Sequence, residues 1–296
     1  MNVYPFVEAE KVAERNVCKA CAMLEVSRSA FYGWHHHTET TRAIADAKLA
    51  GQIVEIHKVS RGTYGAPRVT VALRQAGVGA GKKRVARLMA KGGLAGRARR
   101  RKVRTTISDP AAQGTMIDRL RRVFDPTSYE LDRIYVGDIT YIRTHEGWLY
   151  LATVIDLASR RVVGFAMADH MRASLVCDAL RMAIELRHPA PGFIFHSDRG
   201  SQYTSKDFRA LLGKHKGLQS LSRPRQCWEN AVAESFFATL KEELVYRVVL
   251  PTREAARRVI FEFIEVFYNR IRMHSSLGYL TPAEYEAARR KSAEAA

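Results

Sequence analysis

The chain has 296 residues, 47% of them hydrophobic, and a formal net charge of +18. This is enough apolar material for packed cores and enough length for about two domains, so wholesale disorder is excluded. No run of about 18 uncharged apolar residues occurs, and the opening MNVYPFVEAEKVAERN holds no apolar signal region, so a cytosolic protein is expected.

The charge is unevenly placed. Residues 1–110 hold 21 Lys/Arg against 8 Asp/Glu, leaving +13, whereas the remainder holds 27 against 22, leaving +5. A basic first third points to a polyanion partner, nucleic acid above all. Within it, KVAERNVCKACAML (11–24) predicts a helix with Val12, Val17, Cys21 and Leu24 at helical spacing. Ser27 then caps a short second helix carrying Arg28, Phe31, Tyr32 and Trp34. Two short helices around a tight turn are the layout of a helix-turn-helix, with a plain helical hairpin as the alternative. Cys18 and Cys21 followed by His35, His36 and His37 imitate a zinc finger. Adjacent histidines lack the gap of about three to five residues such sites use, and both cysteines suit an apolar helix face better.

A second pair follows. APRVTVALRQAG is a helix ending at Gly77, VGAG a turn, and KKRVARLMAKGGL a helix bearing Lys82, Lys83, Arg84, Arg87 and Lys91. The basic run RARRRKVR, with Arg99, Arg100, Arg101 and Lys102, reads as a linker closing at Pro110. Such a run lies along phosphates and gives salt-dependent, sequence-blind affinity. The expected segments are therefore 1–60, a helix-turn-helix, and 61–110, a second such pair with the linker.

After residue 130 the period changes. RIYVGDITYI, WLYLATVID and RRVVGFAMA alternate as strands around the turns THEG and LASR. The helix ASLVCDALRMAIELR, the strand GFIF, the helix TSKDFRALLGKHK and the strand LQSLS follow, and then the long helices WENAVAESFFATLKEELVYR and REAARRVIFEFIEVFYNRIRM. The predicted class is α/β: a mixed five-stranded sheet flanked by helices over 125–250, preceded by all-α segments and followed by a helical tail, 251–296.

Three carboxylates stand out. Asp138 lies inside an apolar strand on the face of Val136, Thr140 and Ile142, and a buried carboxylate needs a cation, a metal or a wet cleft. Asp198 sits at the tip of GFIF, where a turn residue is the ordinary alternative. Glu234 borders the core stripe of Ala233, Phe236, Phe237, Leu240 and Leu244, with Asn230 one turn before and Lys241 two turns after. Asp156, in IDLASR, reads as a turn residue. Each carboxylate alone suits a structural role.

Together they suggest chemistry. Thirty-five residues separate Asp198 from Glu234, and Lys241 follows Glu234 by seven. This spacing resembles the D,D-35-E signature of the retroviral integrase superfamily. GDITYI, HSDRGSQY, CWENAVAESFFATLKEEL and YNRIRMHSSLGYLTPAEY resemble bacterial transposases of the insertion-sequence-three type, in their second-frame product, OrfB. VSRSAFYGW, SRGTYGAPRV and RVARLMAKGGLAGR resemble the helix-turn-helix region preceding that core. The likeness spans roughly residues 15–288.

The resemblance implies an RNase-H-like core with Asp138, Asp198 and Glu234 as catalytic residues and ligands of two Mg²⁺ ions, Mn²⁺ substituting. It implies double-stranded DNA as partner, both terminal inverted repeats and target, with Lys241 contacting the element end. Arg28, Lys82, Lys83, Arg84, Arg87 and the 99–102 run are the further expected DNA contacts. A homo-oligomer on DNA, a first-frame partner or frameshift fusion, and a bacterial, nucleoid-associated location are also implied. His196, Arg199, Gln202, Tyr203 and Asn230 either line the cleft or stiffen its turn, and His274 either meets DNA or supports the fold. The chain departs from the family pattern at Glu229, where Asp is expected, and at Pro224 and Arg225, where a Gly-containing turn is expected. A non-catalytic DNA-binding regulator and a general RNase-H-like nuclease are the rival readings.

Overall fold

A computed structural model describes residues 3–36, 40–97, 125–222 and 230–294. The first helices are α1 (Tyr4–Val12), α2 (Val17–Met23) and α3 (Arg28–His35). The single helix expected over 11–24 is thus two. Asn16 takes an extended backbone and its side chain accepts from the Lys19 amide, capping a fresh start. Ser27 caps α3 in the same way, accepting from the Ala30 amide. Val7, Ala20, Cys21 and Phe31 close a small core among these helices.

Next come α4 (Thr41–Val59), which the sequence did not announce, then α5 (Ala66–Gln75) and α6 (Lys82–Lys91). Helix α4 packs on both α5 and α6, and Leu49, Ile53, Val69, Leu73, Val85 and Leu88 form their common core. The basic run with Arg99, Arg100, Arg101 and Lys102 lies outside the described residues, as do His37, Pro224, Arg225 and Glu229.

Strands β1 (Ile134–Thr144), β2 (Gly147–Asp156), β3 (Val162–Ala168), β4 (Ile194–Ser197) and β5 (Leu218–Leu221) form one sheet in the order β3-β2-β1-β4-β5. The first three are an antiparallel meander, and β4 and β5 join parallel to β1, which makes the sheet mixed as expected. Helices α7 (Ala173–Arg187) and α8 (Lys206–Lys214) cover one face, packing Val176, Leu180 and Phe208 against Tyr135, Val154 and Phe195. The other face receives α9 (Ala231–Glu243) and α10 (Arg253–Glu262). Phe236, Leu240, Ile260, Phe263, Ile264 and Phe267 meet Val136, Ile142, Leu149 and Leu151 there. By packing, then, the chain after residue 250 joins the core on that face, through Ala256, Ile260, Phe263, Ile264, Phe267 and Tyr268. Helix α11 (Pro282–Glu294) anchors back through Glu286, which accepts from Arg161 and Arg187.

Candidate active site

Asp138 projects from the middle of β1, half-buried, on the face that meets α9. The residue before it must be glycine: a Cβ on Gly137 would stand 2.3 Å from Phe195 Cζ. In the parallel pairing Val136 lies opposite His196, and β4 ends at Ser197, so Asp198 follows directly where the strand beside β1 stops. The charge of Asp198 reaches Asp138 and raises its carboxyl.

The loop carrying Asp198 is held from several sides. His196 is fully buried and shares hydrogen bonds with Ser220 Oγ (2.9 Å) and Ser222 Oγ (3.1 Å). Arg199 Nε donates to the Ser222 carbonyl, and Gln202 Nε2 to the Met171 carbonyl. These three side chains stiffen the turn. Asp198 itself is exposed, with Oδ1 accepting from the Gly200 amide at 3.0 Å.

Glu234 lies on the first turn of α9, exposed, beside the buried stripe Ala233, Phe236, Phe237 and Leu240. Asn230 precedes the helix and donates to the Gly137 carbonyl (3.2 Å), tying the start of α9 to the strand that carries Asp138. Lys241 Nζ lies 5.2 Å from the centroid of the Tyr141 ring on β1, a cation–π contact on the same flank.

Electrostatically these groups form one site. The Asp138 carboxyl is raised to about 7, chiefly by burial; the Ile139 amide (2.8 Å) opposes this, the charges of Asp198 and Glu234 add to it, and Lys241 opposes it. Tyr203 is buried against the same carboxylates, with no hydrogen-bond partner for its hydroxyl among the described residues. Burial, with Asp138 and Asp198 adding, pushes its hydroxyl well above the usual tyrosine range.

The donor set is hard oxygen only, which suits Mg²⁺ or Mn²⁺ rather than a thiophilic metal. Among the described residues no three His, Cys, Asp or Glu side chains are grouped closely enough to hold a metal ion. The same observation bears on Cys18, Cys21, His35 and His36. Cys18 is exposed, Cys21 is in the core, and His35 contacts Glu8 and Lys11.

The expected DNA contacts are spread over several elements. Arg28 opens α3 and is exposed, as are Lys82 and Lys83 at the start of α6. Arg84 and Arg87 are both tied to Asp46 of α4, at 2.7 and 2.5 Å. His274 is a core residue, packed edge-on against Tyr268. Sequence reasoning passed over Tyr141, whose exposed ring beneath Lys241 gave no local signal, and over Arg68 and Arg272, which converge from distant segments.

This sheet, with one carboxylate on its first strand, one just after its fourth and one on the helix behind, defines the integrase-core class of polynucleotidyl transferases. An integrase core domain family model matches residues 129–227, a second integrase core model matches 217–282, and an HTH-like domain model matches 44–102. Transposase InsF for insertion sequence IS3A of Escherichia coli (strain K12) is 38% identical over 285 residues, 96% of this chain and 98% of that protein. A 31 kDa protein of insertion element IS600 from Shigella sonnei is 38% identical over 266 residues, 90% of this chain and 96% of that protein. The chain therefore belongs to the IS3 transposase family, whose activity is DNA transposition. Among solved structures, the HTLV-2 integrase catalytic core in complex with magnesium covers 52% of this chain and 95% of its own, at 16% identity and a TM-score of 0.40. No helix among the described residues is long and apolar enough to cross a membrane.

Proposed function

We propose that Asp138, Asp198 and Glu234 are the catalytic carboxylates of this transposase and that Lys241 meets a DNA phosphate beside them. The observation that carries this is Asp138: a half-buried carboxyl held near 7, bonded to one backbone amide, with two further carboxylates in electrostatic reach. Such an arrangement costs stability in the free protein and suits a site that awaits positive charge.

Bound Mg²⁺, with Mn²⁺ as its substitute and two ions in all, supplies Lewis acidity that lowers the charge penalty of attack on an anionic phosphodiester. Asp138, Asp198 and Glu234 would hold the ions, Asp138 lying in electrostatic reach of both other carboxylates. The Gly200 amide and the His196–Ser220–Ser222 contacts hold Asp198 in place, and Asn230 fixes the start of α9 and hence Glu234. In cleavage, a water oxygen bonds to phosphorus as the bond from phosphorus to the 3′-oxygen breaks, freeing a 3′-hydroxyl. In joining, that hydroxyl attacks a target phosphodiester and displaces the target's own 3′-oxygen. The helices at 44–97, with Lys82 and Lys83 exposed, bind the terminal inverted repeats, and the chain works as a homo-oligomer on DNA, joined by a first-frame protein or fusion. It acts in the bacterial cytoplasm, on the nucleoid.

The test is a labelled-oligonucleotide assay on the element's own terminal repeat, with Mg²⁺ or Mn²⁺, comparing wild type with Glu234→Gln. Metal-dependent nicking and joining by wild type alone, lost when the repeat is scrambled, is the expected result. Cleavage indifferent to repeat sequence marks a general nuclease. Specific binding without cleavage, even with the first-frame segment fused, marks a regulator.

A further inference from the structure

A cavity of about 360 Å³ opens where the helices of residues 41–97 meet the sheet domain. One wall is α9, through Ser235, Thr239 and Glu242. At 100° per residue these lie about 80–140° around the helix from Glu234, so α9 presents its carboxylate on one flank and this cavity on another. The remaining walls bring together Arg68 of α5, Arg97, and Arg272, His274, Ser275 and Ser276 from the segment after α10.

The cavity is rich in donors that nothing within the described chain uses. Arg272 is committed: it donates to both oxygens of Glu243, at 2.8 and 2.7 Å, and so cancels that charge. Arg68 differs. It is half-buried, lies 5.6 Å from the centroid of the Tyr64 ring, and forms no ion pair with a described carboxylate. Burial and the like charge of Arg272 weaken its hold on its proton, the mark of a guanidinium short of a counter-ion. His274 is 8% exposed, and its Nε2 has no hydrogen-bond partner among the described residues. Arg97, Ser275 and Ser276 stand exposed at the mouth. Glu242 alone opposes an anion there. A planar guanidinium with hydroxyls beside it matches a phosphate.

We infer that this cavity seats one backbone phosphate of the DNA strand that runs between the helices of residues 41–97 and the carboxylates Asp138, Asp198 and Glu234. The inference rests on the transposase reading above and deepens it: helix α9 becomes the shared wall through which a strand gripped at Arg68 is set at a fixed distance from Glu234.

The experiment measures binding of the full chain to a terminal-repeat duplex by fluorescence anisotropy over a salt series. Arg68→Ala is expected to weaken binding roughly tenfold and to lower the slope of log K against log salt by about one. Ser276→Asp, at an exposed position, places a negative charge in the mouth without touching the core and weakens binding too, which covers a folding defect in the arginine variant. Glu242→Gln removes the opposing charge and tightens binding. In duplexes with a single neutral methylphosphonate, one position weakens wild type and leaves Arg68→Ala unchanged. If wild type binds while all three variants match its affinity and slope, the inference is overturned and the transposase reading stands. If wild type binds no DNA, both fall. If millimolar inorganic phosphate raises the Tm of wild type but not of Arg68→Ala, with DNA affinity unaltered, the cavity is a free-anion site and the DNA assignment is wrong.

Discussion

Two acidic clusters border strand β1, and they are built in opposite ways. In the first, Asp132 accepts from Arg187 (2.6 Å) and Arg290 (3.1 Å), and Glu286 accepts from Arg161, Arg187 and the Ser159 hydroxyl. Asp156 is satisfied there by the Ser159 amide and hydroxyl and the Asp132 amide, as its turn role in IDLASR led one to expect. Burial pushes Glu286 up, but Arg187 and Arg161 outweigh it and hold the carboxyl below the usual glutamate range. In the second cluster, Asp138 and Asp198 each accept one backbone amide, and Glu234 accepts no hydrogen bond from a described residue. Asp132 and Glu286, joined to arginines, clamp α7 and α11 to the sheet, and Asp156 beside them is fully buried on amide and hydroxyl donors; Asp198 and Glu234, exposed and without arginines, are available to a ligand together with Asp138.

The sharpest way to break this contrast is Glu286→Gln. It removes a buried partner of two arginines and should cost about 3 kcal/mol, read as a lowered midpoint in urea, while strand joining per folded molecule persists. Asp138→Asn should do the reverse. With a folded pKa of about 7 against 3.8 unfolded, Asp138 holds its proton more tightly in the native state, so its penalty is absent below about pH 4 and grows as pH rises to about 7. The variant should therefore exceed wild type by about 1–3 kcal/mol at pH 8 and by nothing at pH 3.5, in metal-free denaturation curves. Smaller still, millimolar Mg²⁺ should raise the Tm of wild type by a few degrees and leave Asp138→Asn unmoved. The smallest effect belongs to Tyr203→Phe. Its hydroxyl is buried without a partner among the described residues, so thermal melts should find the variant equal to wild type or more stable by under about 1 kcal/mol.

Much of this was legible where local rules act. Alternation and turn residues marked β1 to β3, the short runs GFIF and LQSLS marked β4 and β5, and the Ser27 cap and the apolar period marked α3 and α7. The break at Asn16 was hidden because Val12, Val17 and Cys21 keep helical spacing across it, and only the cap reveals two helices. Helix α4 was missed because its apolar residues do not gather into one stripe; Leu49 and Ile53 are buried while Ile44, Val54 and Val59 are exposed. The tail over 251–296 read as peripheral, since no local pattern tells which face Phe263 and Phe267 will cover. At the site, the spacing and wording around Asp138, Asp198 and Glu234 raised the set before any coordinates. Tyr141 beneath Lys241, and the meeting of Arg68 with Arg272, depend on tertiary contact and had no sequence signature.

The decisive measurement is strand joining per folded molecule for Asp138→Asn beside Glu286→Gln, on one terminal-repeat substrate with Mg²⁺. The structure predicts that Asp138→Asn is folded, stable and inactive by at least about a thousandfold, and that the less stable Glu286→Gln retains wild-type turnover. Joining by Asp138→Asn near the wild-type rate, or loss in both variants only in proportion to unfolding, would contradict the division of these carboxylates into clamp and catalyst.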